Sequence, residues 1–302
     1  MRISISKLAD IETVGDYLDW ATDFFNQSKL FYGHGTDNAW DEAVMLVLFV
    51  LQLPAEANRS MLTSKLSLEQ KNRLIDIARQ RVATRSPVPY LTNEAWFAGE
   101  RYIVNKDVLI PRSPLAETIG NHFQPWLGTV KPQRILDLCT GSGCLAIYCA
   151  KKFPGCQIDA VDISAAALAV AQQNIALHNC AEQVHIIQSD LFAGVVGNTY
   201  DIIISNPPYV SAQDMASLPP EYTHEPSLAL ASGADGLDLT LKIIRTAKEY
   251  LTPKGLLIVE VGNSWPTLVA RLPTVPFIWL EFNRGGEGVF LLTAADLKDI
   301  KL

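Results

Sequence analysis

Asp137, Asp162 and Asp190 each stand in or just after an apolar run, and a glycine loop follows the first of them. In Ile135-Leu136-Asp137-Leu138-Cys139-Thr140-Gly141-Ser142-Gly143 a strand-like run enters a turn that opens a helix. Gly141 and Gly143 let the backbone come close to a ligand. In dinucleotide enzymes the helix start after such a turn holds a pyrophosphate. Asp137 precedes Gly141 by four residues. A carboxylate there repels phosphate but attracts the ammonium of a methionine moiety, which favours S-adenosylmethionine over NAD. Asp162 ends the next run, 19 residues beyond Gly143. An acid at about that spacing accepts both ribose hydroxyls. In Gln188-Ser189-Asp190-Leu191-Phe192, after the third run, Asp190 is placed to bond an adenine amino group while Leu191 packs on the ring. Segments of this kind at successive strand ends point to one ligand edge of an α/β sheet.

A fourth run ends in Ile203-Ile204-Ser205-Asn206-Pro207-Pro208-Tyr209. This Asn-Pro-Pro-Tyr string resembles the signature of methyltransferases that act on planar, conjugated nitrogens, such as the adenine amino group or the glutamine amide. An amide nitrogen shares its lone pair with the carbonyl and needs orientation more than a strong base. The Asn206 side-chain oxygen and the Pro207 carbonyl can each accept one N–H of the target. They would stabilise positive charge developing on it. The two prolines stiffen the loop, and Tyr209 can lie against the planar group.

Elements that would position these residues follow from periodicity. The stretch before about residue 85 is read as helical. Asp10 is a candidate cap for a first helix, a second helix runs to Leu51 before Pro54, and Ser67 with Gln70 forms a capping-box pattern for a third from Leu68 to about Thr84. Ser86-Pro87-Val88-Pro89 is read as the end of the helical region. Ala95–Phe97 and Arg101–Val104 around Gly99 read as a β-hairpin linker. From Ser113 strands and helices alternate. Strand candidates are Arg134–Cys139, Gln157–Asp162, Gln183–Ser189, Tyr200–Ser205, Gly255–Glu260, Phe277–Phe282 and Gly288–Thr293. Helices are expected near Gly143–Phe153, Ser164–His178, Leu237–Leu251 and Asn263–Leu272. This alternation implies a mostly parallel sheet covered by helices. Asn283–Glu287 is too short for a crossover helix, so the last two strands should pair antiparallel. The expected fold class is α/β, a Rossmann-like class I methyltransferase sheet ending in an antiparallel hairpin. The expected domains are a helical substrate-recognition domain over 1–85, the linker over 86–112 and a methyltransferase domain over 113–302.

Bulk composition narrows the alternatives. Of 302 residues 48% are hydrophobic and 19% charged, enough for a packed core. The net charge of −7 supplies no field to gather nucleic acid. A DNA adenine methyltransferase would also need a basic target-recognition domain, which is not seen. An NAD-dependent dehydrogenase is disfavoured by Ala146 where a third glycine is usual and by the lack of a hydride-transfer apparatus. There is no His-Glu-x-x-His pair, phosphate loop or nucleophile elbow. His178, His185 and His224 read as structural. The five cysteines have no zinc-like spacing and read as free thiols of a reducing cytoplasm, and no metal is expected. The start shows no signal peptide, and the apolar run Ala43–Leu51 is too short to span a bilayer.

From the helical start, the hairpin and the Asn-Pro-Pro-Tyr catalytic region together, nearly the whole chain resembles the HemK-type protein-glutamine methyltransferases. That family has a branch that modifies peptide release factors and a branch that modifies the third protein of the large ribosomal subunit. Release-factor enzymes tend to read Pro-Arg-Pro-Glu-Thr after the hairpin, whereas this chain reads Pro111-Arg112-Ser113-Pro114. It also carries Asp214-Met215-Ala216-Ser217-Leu218-Pro219-Pro220-Glu221-Tyr222 followed by His224-Glu225-Pro226. Both departures look like the ribosomal-protein branch. The resemblance implies a cytoplasmic enzyme with a large-subunit ribosomal protein as substrate and without direct nucleic-acid binding. It assigns cofactor contact to Asp137, Gly141, Gly143, Asp162, Asp190 and Asn206. It gives the glutamine pocket to Pro207, Pro208 and Tyr209, and puts Pro111 and Arg112 at its mouth. The Asp214–Pro226 loop then either reads the partner protein or acts as a lid.

Overall fold

The computed structural model describes residues 10–54, 59–283, 285–298 and 300. The opening segment read for a signal peptide, up to residue 9, lies outside the described residues, as does Arg284 of the last loop.

Helix α1 (Val14–Gln27) begins at Thr13, not at the expected Asp10. The Thr13 side chain accepts the Asp16 N–H, and the Asp16 carboxylate accepts the Thr13 N–H at 2.8 Å. A reciprocal pair satisfies two helix-end donors where a lone Asp satisfies one. Asn38 caps α2 (Ala39–Leu51), whose apolar run buries Ala43, Leu46, Val47 and Val50. The Ser67–Gln70 capping box opens α3 (Leu68–Thr84) where it was expected. The Pro87–Pro89 segment does more than end the helices: Val88–Thr92 forms a short helix α4. A proline in the first turn has no intrahelical N–H bond to lose. Strands β1 (Glu94–Phe97) and β2 (Glu100–Ile103) then pair antiparallel.

Contacts divide the chain into two compact units. The first holds Met1–Asn105, so the hairpin goes with the helices, and it also takes in Pro219–His224. A fully buried Arg81 organises it. Its Nε meets Glu42 at 3.1 Å, and its Nη1 lies 3.7 Å from Glu221. Glu221 also binds Arg85 at 2.6 Å and accepts the Phe31 N–H at 2.9 Å. Charges so deep in a helical core persist only when paired in this way.

The second unit carries a seven-stranded sheet. After α5 (Leu115–Gly120) come β3 (Arg134–Leu138), α6 (Cys144–Lys152), β4 (Gln157–Asp162), α7 (Ala165–Leu177), β5 (Val184–Gln188) and β6 (Tyr200–Ser205). Then follow α8 (Ala212–Met215), α9 (Asp238–Ala247), β7 (Leu251–Glu260), α10 (Trp265–Arg271), β8 (Ile278–Trp279), β9 (Val289–Thr293) and α11 (Ala294–Lys298). The sheet order is β5-β4-β3-β6-β7-β9-β8. The strands are parallel except β9, which runs antiparallel to β7 and to β8. The antiparallel ending agrees with the sequence expectation.

Two strands differ from it most. Strand β7 starts at Leu251 rather than Gly255, because Leu251 pairs with Tyr200 before a register shift resumes the ladder at Ile202 and Leu256. Strand β8 is only Ile278–Trp279, since an edge strand has one neighbour to define it. The central strands are apolar on both faces, and Leu136, Ile203, Leu257 and Phe290 belong to one buried cluster. The carboxyl ends of β3, β4, β5 and β6 therefore share one edge, where the loops that follow them gather.

Candidate active site

A cavity of about 280 Å³ opens at that edge, lined among others by Gly141, Asp162, Asp190, Leu191, Asn206 and Arg112. It therefore unites the three strand-end segments with the start of the Asn-Pro-Pro-Tyr loop. Asp162 ends β4 and turns its carboxylate across the glycine loop. One oxygen accepts the Gly141 N–H and the other the Ser164 N–H, both at 2.9 Å. Burial pushes its carboxyl up from the ordinary range despite these bonds. Gly141 has φ +56 and open space where a side chain would stand. Asp190 and Leu191 follow β5. Leu191 adopts φ +48 and Cys139 φ +59, left-handed conformations unusual for such residues. Both line the cavity.

Asp137 and Gly143 are placed differently from the expectation, since neither lines the cavity. β3 is covered on both faces, so the Asp137 side chain is fully buried. Its Oδ2 accepts the Thr140 hydroxyl at 2.5 Å and the Ala146 N–H at 3.2 Å. Burial raises its carboxyl to about 7. Through Oδ2, Asp137 braces the glycine loop on the first turn of α6, while its buried Oδ1 has no hydrogen-bond partner among the described residues. Gly143 caps α6 at φ +79, and a side chain there would press on Ala171 of α7 at 3.3 Å. Its role is helix packing.

Asn206 follows β6, whose last residue Ser205 donates to the Leu138 carbonyl at 2.8 Å. That bond ties the start of the reactive loop to the strand carrying the glycine turn. The Asn206 Oδ1 is buried and has no hydrogen-bond partner among the described residues. A buried acceptor left unmatched costs about 1–3 kcal/mol, so its presence here asks for a donor from outside. Pro208 lines the cavity, whereas Pro207 and Tyr209 do not. The Tyr209 ring lies over Gly262, where an added Cβ would stand 2.5 Å from the ring. Its hydroxyl points to Glu260 at 3.3 Å, and its carbonyl accepts the Ser264 hydroxyl at 2.7 Å. Tyr209 therefore anchors the end of the loop.

Arg112 lines the cavity but is engaged by Glu225, with Nη1 and Nη2 at 2.6 and 2.7 Å from the two carboxylate oxygens. His224 belongs to the helical unit, where its Nε2 lies 3.0 Å from the Thr84 carbonyl, and His185 pairs with Gln157. All five cysteines are free. Among the described residues no group of three or more His, Cys, Asp or Glu side chains is placed to hold a metal ion. No helix among them is long and apolar enough to cross a membrane. Glu225, Glu260 and Ser113 escaped sequence reasoning, because each acts through a partner far away in the chain.

The sheet order, the glycine turn and the cavity at the carboxyl edge define a class I methyltransferase. A family model described as the methyltransferase small domain matches residues 119–219. The hMettl16 catalytic domain, solved in complex with MAT2A 3'UTR hairpin 1, shares the fold at 16% identity and a TM-score of 0.53, covering 83% of this chain and 89% of that one. The ribosomal protein uL3 glutamine methyltransferase of Francisella tularensis subsp. tularensis is 45% identical over 97% of this chain and 93% of its own length. That of Neisseria gonorrhoeae is 46% identical over 95% of this chain and 96% of its own length. The chain belongs to the family of ribosomal protein uL3 glutamine methyltransferases.

Proposed function

We propose that the protein transfers a methyl group from S-adenosylmethionine to the side-chain amide nitrogen of a glutamine in ribosomal protein uL3. The observation that carries the chemistry is the Asn206 Oδ1, a buried acceptor without a partner at the reactive edge of the cavity. The substrate rests on the names of relatives that match from end to end.

The residues present fit the donor. Asp162 offers carboxylate oxygens at the cavity wall, Gly141 leaves room for close approach, and Asp190 and Leu191 stand where an adenine would lie. S-adenosylmethionine supplies an activated sulfonium methyl when bound. Asn206 Oδ1 and the Pro207 carbonyl accept the two N–H groups of the glutamine amide and orient its nitrogen. The same acceptors stabilise the charge that grows on the nitrogen as it is alkylated. Pro207 and Pro208 fix the backbone between Asn206 and the Tyr209 anchor. The helical unit is the part we assign to recognition of the protein substrate, and the cytoplasm is where that substrate is made.

Incubation with labelled S-adenosylmethionine and a mixture of undermodified uL3 and release factors tests this reading. Mass spectrometry should place the methyl on a uL3 glutamine. Methylation of the release factors alone would overturn the substrate, and methylation of neither would overturn the chemistry. Asn206→Ala should abolish transfer and leave donor binding largely intact.

A further inference from the structure

We propose that Glu260 is a positioning residue for methyl transfer: from the end of β7 it holds Tyr209 and Ser113, and through them it sets the Asn206–Tyr209 loop against the cavity wall at Pro111–Ser113. The inference rests on the role given above to Asn206.

Glu260 is buried, only 6% exposed, and does not line the cavity. A carboxylate at such a place needs donors. One oxygen receives the Ser113 hydroxyl at 2.5 Å and the other the Tyr209 hydroxyl at 3.3 Å. Burial raises the carboxyl, while these two bonds and the nearby Arg112 charge favour the ionised form. Ser113 belongs to the wall of the site and Tyr209 to the loop that leads from it. Ser113 lines the cavity directly. Tyr209 ends the loop whose first residue is Asn206, and two prolines lie between them. A proline pair passes displacement at one end to the other with little slack.

The surroundings of Tyr209 show how closely it is held. Its carbonyl would be 2.2 Å from a side chain at Gly236, and its ring 2.5 Å from one at Gly262. A side chain at Gly288 would meet the Gly262 carbonyl, so Gly262 is hemmed in on that side as well. The ring can therefore rotate or slide only if its hydroxyl leaves Glu260. Small displacements of an orienting acceptor cost rate, because the reacting atoms must lie in line. The donor contacts of Asp162, Asp190 and Gly141 lie on other loops and do not depend on Glu260.

The test uses the full chain with uL3 and S-adenosylmethionine. The variants are Glu260→Gln, Tyr209→Phe, Ser113→Ala and the doubles that contain Tyr209→Phe. The readouts are kcat, the dissociation constant of S-adenosylmethionine and the melting temperature. Glu260→Gln and Tyr209→Phe should each lower kcat about tenfold with donor affinity changed less than about twofold. The Glu260→Gln/Tyr209→Phe double should be no slower than the slower single by more than about twofold, since both act through one contact. A kcat for Glu260→Gln within about twofold of wild type overturns the proposal. So does a multiplicative loss in the double, or a loss of donor affinity and melting temperature that accounts for the rate. If Glu260→Gln does not fold, Ser113→Ala and Tyr209→Phe decide: non-additive losses support a shared carboxylate, and multiplicative losses overturn it. Asn206→Ala separates the two readings. Normal turnover in Asn206→Ala overturns the acceptor role of Asn206, whereas its loss alongside normal turnover in Glu260→Gln overturns only the role of Glu260.

Discussion

Arg112 and Glu225, 113 positions apart in the chain, meet as a two-pronged ion pair with N–O distances of 2.6 and 2.7 Å. The Glu225 side chain is fully buried and that of Arg112 is 22% exposed. A third donor, the Ile110 N–H, reaches the same carboxylate at 3.2 Å. The pair thus fastens the Ile110–Arg112 segment at the cavity to the segment that follows the reactive loop. Arg112→Ala would strand a buried carboxylate and should destabilise the protein by about 3 kcal/mol. Arg112→Lys should recover only part of this, since an ammonium cannot make both bonds at once. Urea unfolding of the two variants measures the difference, and equal stability of the lysine variant and wild type would contradict it.

Asp162 is expected to act on donor affinity through the loop as well as by direct contact. Its bond to the Gly141 N–H holds the glycine turn open around the cavity. Asp162→Ala removes a charge-assisted bond and should weaken S-adenosylmethionine binding by about 10- to 100-fold. At saturating donor kcat should change little. Titration calorimetry together with initial rates checks both parts, and an unchanged dissociation constant would remove Asp162 from the donor site.

Asp137 makes stability depend on pH with an unusual sign. Its carboxyl titrates near 7 in the folded protein against an ordinary value of 3.8. As pH rises between those values, the unfolded chain releases this proton and the folded chain keeps it. The contribution of Asp137 to stability therefore falls across that window, by up to about 1.4 kcal/mol per pH unit, and levels off above it. Asp137→Asn should gain stability relative to wild type as pH goes from 5 to 7.5. The same denaturation curves for both proteins at the two pH values decide the matter, and a variant that loses ground at the higher pH would show the carboxylate to be stabilised instead.

Local patterns were the legible part of the sequence. The Ser67–Gln70 box and the strands Gln157–Asp162 and Tyr200–Ser205 depend on neighbours within a few residues, and the structure has them in place. Asp10 lost the first cap to Thr13 because reciprocal capping outweighs a single acceptor. At the site, Asp162, Asp190, Leu191 and Asn206 could be assigned to the cavity edge because each follows a strand directly. That Asp137 is fully buried and bonded to Thr140 and Ala146 depends on helices packed on both faces of the sheet, which its spacing to Gly141 does not reveal. The packing of Tyr209 on Gly262, 53 positions on, could not be read from local spacing. The same separation hid Glu225 and Glu260, whose partners no local spacing reveals.

The excursion of Pro219–His224 into the helical unit makes that unit a poor cassette. Severing the gene after Asn105 would deliver a helical fragment without Glu221, leaving Arg81 and Arg85 short of a counter-charge. Inserting a foreign helical head on the remaining catalytic portion would leave Glu221 without its two arginines. A cut at that point therefore costs each piece a buried charge its partner.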